Sequence, residues 1–165
     1  MSLKNYEQLT ATSQADTERL ASKLAKLVKI GDIISLSGDL GAGKTVFARA
    51  FINALGGVEE VPSPTFTLVQ SYYLNPIPIH HFDLYRLENP EDAFELGIDD
   101  LFSQGISLIE WPERLQPYLP KDRLELSIYY PKNLCEANGI RHIKLTGLGY
   151  WESRLTSIFQ KQNNE

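Results

Sequence analysis

Residues 38–45 read Gly38-Asp39-Leu40-Gly41-Ala42-Gly43-Lys44-Thr45, which satisfies the phosphate-binding loop pattern G-x-x-x-x-G-K-[ST]. An apolar run at 32–37 precedes the loop and predicts a buried strand. The segment that follows, 46–54, carries its apolar residues at helical spacing. Strand, glycine loop and helix in this order form the context in which the pattern binds phosphate. The sequence therefore predicts a nucleoside triphosphate site, because a plain glycine-rich turn with a surface lysine does not account for both flanks.

Within the loop, the residue types have distinct predicted roles. Glycines allow successive backbone N–H groups to turn around a phosphate chain, and the helix N-terminus adds its partial positive charge. Lys44 is expected to reach the β- and γ-phosphates, and the Thr45 hydroxyl to ligate Mg²⁺. The predicted nucleotide-binding set comprises Asp39, Leu40, Gly41, Ala42, Gly43, Lys44, Thr45 and Val46.

The identity of the nucleotide follows by elimination. A guanine-reading GTPase is expected to carry an Asn-Lys-x-Asp element, and the sequence has none. ATP is therefore the predicted nucleotide, although no positive adenine motif is present.

Composition bounds the class of protein. A chain of 165 residues suits a single domain over 1–165, with a frayed tail at 160–165. The single cysteine, Cys135, cannot form an internal disulfide, and no apolar run approaches membrane-spanning length, so we expect a cytoplasmic protein without a membrane segment. A net charge of −5 argues against tight autonomous binding to nucleic acid.

The order of predicted elements indicates a single α/β domain that contains the phosphate-binding loop. We expect helices over 10–29, 89–97 and 150–160, a core strand over 106–110, a hairpin over 67–74 and 77–86, and an edge hairpin over 123–130 and 141–146.

Glu110 is the candidate partner acid for the metal. It ends the apolar strand Ile106–Glu110, where its carboxylate is placed to hold Mg²⁺ beside Thr45. The alternative interpretation makes Glu110 an acid that stabilises the N-terminus of the short helix starting at Pro112.

A second acid, Asp83, lies in the run His-His-Phe-Asp-Leu-Tyr-Arg at 80–86. Strand alternation places His81, Asp83 and Tyr85 on one face, which predicts a site role for Asp83 or else an ordinary solvated face. Neither His80 nor His81 has metal-ligand spacing with a cysteine, so both are expected to be structural or to face a partner.

Three further features stay open at this point. The proline-fixed segment Ser63-Pro64-Thr65 is suited to sensing a γ-phosphate, but it is equally an ordinary connection. Trp111 is a packing residue or a side chain that stacks beside the nucleotide. Arg86 and Arg114 are candidates for charge stabilisation or for surface ion pairs.

Taken together, four ordered motifs resemble the TsaE family, also called YjeE: GDLGAGKT at 38–45, SPTFTLV at 63–69, HFDLYRL at 81–87 and IEWPE at 109–113. The resemblance covers residues 31–115. It implies a single-domain P-loop NTPase fold with a mixed, mostly parallel sheet flanked by helices and a peripheral antiparallel hairpin. It implies a weak, partner-dependent ATPase with ATP and Mg²⁺ as ligands, required for threonylcarbamoyl modification of adenosine 37 in tRNA. It also implies TsaD and TsaB as partners, with tRNA approached only indirectly.

The same resemblance assigns residue roles. Lys44, Asp83 and Glu110 are the implied catalytic residues, and Thr45 and Glu110 the implied metal ligands. Thr65, in the switch-like segment, and Trp111 join the nucleotide-binding set. Two alternatives remain: a small-molecule kinase built on the same loop, disfavoured by the absence of a lid-length insertion, and a nucleotide sensor that does not hydrolyse.

Overall fold

A seven-stranded mixed sheet organises the described part of the chain, residues 6–56, 60–132 and 139–160 of a computed structural model. The strands are β1 (Tyr6–Ala11), β2 (Ile33–Ser37), β3 (Val69–Tyr72), β4 (Ile79–Asp83), β5 (Ile106–Glu110), β6 (Arg123–Tyr129) and β7 (Arg141–Leu148). The helices are α1 (Gln14–Ala25), α2 (Lys44–Gly56), α3 (Ile98–Gln104) and α4 (Trp151–Gln160), with 3₁₀ helices at Pro90–Leu96 and Pro112–Leu115.

The strand order is β1-β7-β6-β2-β5-β4-β3. Its centre, β6-β2-β5-β4, is parallel, and the antiparallel pairs β1–β7, β6–β7 and β3–β4 lie outside it. This arrangement confirms the predicted α/β class with a mixed sheet. Carboxyl ends of parallel strands meet at one edge of a sheet, so β2, β4 and β5 deliver their last residues to the same place.

Each face of the sheet carries its own apolar core. Strand alternation sends Ile34 and Leu36 toward α1, α2 and α4, whereas the neighbouring Ile33 packs with α3 and the 3₁₀ helices. The central strand β2 is therefore apolar on both faces, as expected of a strand covered by helices on both sides.

The N-terminal prediction was wrong in one respect. The helix expected from Thr10 begins only at Gln14, because residues 6–11 form the edge strand β1, which pairs with β7. Strand β1 alternates exposed and half-buried side chains, a weak pattern in a run of six residues. Its pairing partner lies more than a hundred residues away, so the local sequence did not indicate it.

Of the two predicted hairpins, only β3–β4 is peripheral, with β3 at the sheet edge. The hairpin expected at an edge over 123–146 is antiparallel but internal. Its first strand, β6, pairs in parallel with β2, and β1 covers its second strand, β7. The sequence prediction also missed the helix after Gly97. A 3₁₀ helix ends at Leu96, and the separate helix α3 follows it.

Cys135 and the tail at 161–165 lie outside the described residues. Within the described ranges, no helix has the length and apolar character needed to cross a membrane.

Candidate functional site

The phosphate-binding loop connects β2 to α2 and depends on glycine at three positions. Gly38, Gly41 and Gly43 have positive φ angles of 146°, 79° and 117°, which side-chain-bearing residues rarely adopt. A Cβ on Gly38 would also lie 2.2 Å from the carbonyl oxygen of Ile128 on β6. A turn closes the loop, with the Ala42 N–H donating to the Asp39 carbonyl at 3.0 Å.

Lys44, the first residue of α2, folds back onto this loop. Its Nζ donates to the carbonyl oxygens of Gly38 and Asp39, the latter at 2.9 Å, and lies 4.2 Å from the centre of the Trp111 ring. Burial lowers the pKa of Lys44, an effect that the nearby Glu110 carboxylate partly offsets. The cation is thus partly desolvated, and an anion in the loop would restore favourable electrostatics.

Thr45 and Glu110 meet as predicted. The Thr45 hydroxyl donates to the two carboxylate oxygens of Glu110, at 3.1 Å and 3.3 Å. Glu110 is only 2% exposed, because β5 is covered on both faces. His81 on the neighbouring strand β4 completes this group, with its Nε2 at 3.0 Å from Glu110 Oε1. Sequence reasoning assigned His81 no such contact.

Asp83 lies beside Glu110, its register partner on the parallel strand β5. Its Oδ2 accepts hydrogen bonds from the hydroxyls of Ser63 at 3.0 Å and Thr65 at 3.1 Å, and its Oδ1 accepts one from the Tyr85 N–H. The proline-fixed segment therefore docks directly onto the second acid. This geometry favours a site residue over a solvated surface carboxylate, since Asp83 is only 4% exposed.

Aromatic and cationic side chains line the opposite wall. Trp111 has a left-handed backbone, with φ 59°, immediately after the strand end, and its ring packs on Tyr85 at 4.9 Å between centres. Arg86 lies over the Phe66 ring at 4.4 Å and faces the cleft. Arg114, the other candidate arginine, does not line this cleft.

These groups surround a cleft of about 330 Å³. Its lining contains most of the predicted site: Leu40, Gly41, Gly43, Lys44, Thr45, Val46, Ser63, Thr65, Asp83, Tyr85, Arg86, Glu110 and Trp111. Two predicted loop residues are placed differently. Asp39 contributes its carbonyl to Lys44, and the Ala42 side chain packs into the core beneath the loop.

A second cleft of about 270 Å³ borders the same loop and shares Gly41, Gly43 and Val46 with the first. Ala42 of the same loop also lines it, and two distant parts of the chain complete it with Ser13, Gln14, Thr17, Gly139 and Arg141. Of these lining residues, the sequence predicted Ala42. It did not indicate the five distant ones, because they reach the loop only through the packing of α1 on α2 and the placement of β7.

The donor set at Thr45 and Glu110 suits a hard divalent cation. Both side chains offer oxygen, the ligand type that Mg²⁺ prefers, and Mg²⁺ in such sites completes its coordination with water and phosphate oxygens. The described residues contain no cluster of three or more His, Cys, Asp or Glu side chains able to hold a metal by themselves. The chemistry of the site therefore fits a cation that arrives with a phosphorylated ligand.

Several known proteins are similar to this chain in sequence or in fold. The family model described as "Threonylcarbamoyl adenosine biosynthesis protein TsaE" matches residues 11–137. Two relatives carry the name tRNA threonylcarbamoyladenosine biosynthesis protein TsaE. The one from Bacillus subtilis is 40% identical, over 68% of this chain and 71% of its own length. The one from Haemophilus influenzae is 42% identical, over 71% of this chain and 73% of its own length. The crystal structure of Bacillus subtilis YdiB superposes with a TM-score of 0.78 at 29% identity, covering 96% of each chain. On the family match and these identities, the chain belongs to the TsaE family.

Proposed function

We propose that this protein binds ATP with Mg²⁺ and hydrolyses it as a component of the system that forms threonylcarbamoyladenosine in tRNA. The observation that carries the proposal is the convergence of Lys44, Thr45, Glu110 and Asp83 on one cleft at the carboxyl ends of β2, β4 and β5. The names of the relatives support the tRNA modification role.

The chain's own residues divide the work of binding and hydrolysis. Lys44 exchanges its contacts with loop carbonyls for phosphate oxygens, which are stronger partners for a cation. Thr45 and Glu110 would hold Mg²⁺, which when bound neutralises charge on the phosphates. Asp83, restrained by three hydrogen bonds, is positioned to orient a water molecule near the terminal phosphate.

The second cleft supplies a place for the nucleoside. It adjoins the first through shared loop residues, so a ligand with its phosphates in the loop reaches it without crossing the sheet. Thr17 and Gln14 offer polar contacts, and Arg141 offers a planar cation that can stack on a base. We assign the adenosine moiety to this cleft.

Partner dependence forms part of the proposal. Among the described residues, one arginine lines the first cleft, Arg86, and it is held over Phe66, so hydrolysis by the protein alone is expected to be slow. Resemblance to the TsaE family supports TsaD and TsaB as the partners that accelerate turnover, in the cytoplasm where tRNA is modified.

The test is phosphate release from Mg·ATP by the protein alone, then with TsaB, TsaD and a substrate tRNA. Slow release that rises on addition of the pair is expected. Asp83→Asn should lower release at least tenfold while ATP binding changes little, since removing one oriented catalytic group typically costs about 10²-fold. Transfer of phosphate to a small-molecule acceptor, with no release to water, would instead establish a kinase.

A further inference from the structure

His81 is a buried side chain beside the candidate site, and the roles proposed for the loop and the two acids do not explain why a histidine lies there. It lies on β4, is fully buried, and directs Nε2 at Glu110 Oε1 from 3.0 Å. Its other ring nitrogen, Nδ1, has no hydrogen-bond partner among the described residues. A carboxylate oxygen only accepts hydrogen bonds, so this pairing requires the ring to carry its proton on Nε2.

The hydrogen bond restricts how Glu110 can turn. Oε1 accepts hydrogen bonds from His81 at 3.0 Å and from Thr45 at 3.1 Å, while among the described residues Oε2 has only the longer contact with Thr45 at 3.3 Å. These two hydrogen bonds, one from β4 and one from α2, therefore restrict the rotation of the carboxylate. Oε2 is left with free acceptor capacity, and Glu110 is one of the residues that line the cleft.

We propose that His81 is a positioning residue that orients the Glu110 carboxylate so that its second oxygen is presented to a divalent cation bound with the nucleotide. The inference rests on the proposed function, and it adds a residue to which neither motif nor spacing assigned a role. Hydrogen bonds of this kind fix the geometry of metal ligands, and their loss typically weakens metal affinity about 10- to 100-fold.

The neighbouring His80 provides a matched control. It is also buried, at 2% exposure, but strand alternation places it on the opposite face of the sheet, where its Nδ1 contacts the Ser71 hydroxyl at 2.8 Å. Substitutions at the two positions therefore perturb the same strand with similar burial, and only those at His81 alter the contact with Glu110.

The experiment measures the affinity of the protein for Mn²⁺, a spectroscopic substitute for Mg²⁺, from the free-ion electron paramagnetic resonance signal in the presence of a non-hydrolysable ATP analogue. A titration of the analogue without protein is subtracted, because the analogue itself chelates Mn²⁺. In His81→Gln the amide nitrogen takes the place of Nε2, whereas in His81→Asn the shorter side chain withdraws the donor. We expect Gln to keep the Mn²⁺ dissociation constant within about threefold of wild type and Asn to raise it about tenfold or more. His80→Asn should leave it unchanged.

The outcomes separate this inference from the proposed function. Normal Mn²⁺ affinity in His81→Asn, or an equal loss in His80→Asn, overturns the role of His81 while the nucleotide site stands. Failure of the wild-type protein to bind Mn²⁺ with the ATP analogue overturns the proposed function and this inference together.

A measurement on the wild-type protein tests the proposal even if the variants do not fold. Nitrogen NMR of the histidine rings distinguishes which nitrogen carries the proton. A signal for the Nε2–H form of His81 supports the proposal, and the Nδ1–H form overturns it, because that form cannot donate to Glu110.

Discussion

Lys44 shows how one residue couples the stability of the empty site to binding. Its ammonium is only 5% exposed and is satisfied by carbonyl oxygens of its own loop, and its burial costs free energy that a bound anion would offset. The ammonium is therefore partly desolvated in the ligand-free protein, and we expect it to make a strong contact with a bound anion.

We predict that Lys44→Ala weakens ATP binding about 100-fold, equivalent to about 3 kcal/mol, because charge-assisted hydrogen bonds to phosphate are lost. The unfolding free energy of the ligand-free protein should not fall, since a partly desolvated cation is removed. Isothermal titration calorimetry and urea denaturation measure the two quantities. Lys26→Ala, at an exposed position on the surface, is the control and should change neither. Unchanged ATP affinity in Lys44→Ala would contradict the assignment of the loop.

On the scale of elements, the junction between β2 and the loop depends on close approach to β6. The Gly38 backbone passes so near the Ile128 carbonyl that even a methyl group does not fit. The loop is thus shaped by the adjacent strand as well as by its own glycines.

Gly38→Ala is expected to destabilise the fold by about 3 kcal/mol, combining the cost of an unfavourable φ with that of overpacking. Gly31→Ala is the matched control, because Gly31 also has a positive φ, 91°, but has nothing within 4 Å of the added Cβ. It should cost only about 1–2 kcal/mol. Urea denaturation of both variants tests the difference, and equal losses would show that the contact with Ile128 is unimportant.

Strand β4 also carries a group sensitive to pH. Burial lowers the pKa of His80, and its Nε2 lacks a partner among the described residues. Since the unfolded chain binds the proton more readily than the folded one, stability is complete above the ordinary histidine pKa of about 6.5 and is lost as pH falls below it.

We therefore expect the unfolding free energy to decline between pH 7 and pH 5, and His80→Gln to remove part of that decline. Chemical denaturation at half-unit pH intervals measures both curves. Above pH 7.5 the two should run parallel. An identical acid-side slope in wild type and variant would show that His80 does not contribute.

For the whole molecule, Arg154 strengthens the attachment of α4, which also packs on the apolar core of the sheet. Arg154 on α4 makes two contacts with the Asp32 carboxylate, at 2.8 Å and 3.0 Å, and a third with the Leu27 carbonyl. It also covers the Trp151 ring at 3.9 Å. The residue joins the C-terminal helix to the turns that precede β2, at the end of the sheet opposite the candidate site.

Arg154→Ala should lower the unfolding free energy by about 1–2 kcal/mol, because a bidentate and partly buried pair is removed together with its packing. Arg154→Lys should restore little, since an ammonium cannot make the paired contact. The control is Arg19→Ala, which breaks the exposed ion pair with Asp16 and should cost less than about 0.5 kcal/mol. Thermal and urea denaturation provide the comparison, and equal effects at both arginines would contradict this account.

Local sequence was sufficient to predict the strand and the helix that flank the glycine loop, and it indicated Glu110 and Asp83 as candidate acids of the site. The reason is that glycine conformations, helical periodicity and buried apolar runs act over a few residues. The roles predicted for Lys44 and Thr45 rest on the same short-range chemistry.

The remaining contacts of the candidate site depend on which strands pair and in which register. The adjacency of Asp83 and Glu110 depends on the parallel register of β4 and β5, and the contact of His81 with Glu110 follows from that register. The docking of Ser63 and Thr65 on Asp83, the second cleft and the position of β1 likewise join segments far apart in the chain. Periodicity within a strand shows which face is buried but not which strand lies beside it, so only the tertiary structure could assemble this half of the site.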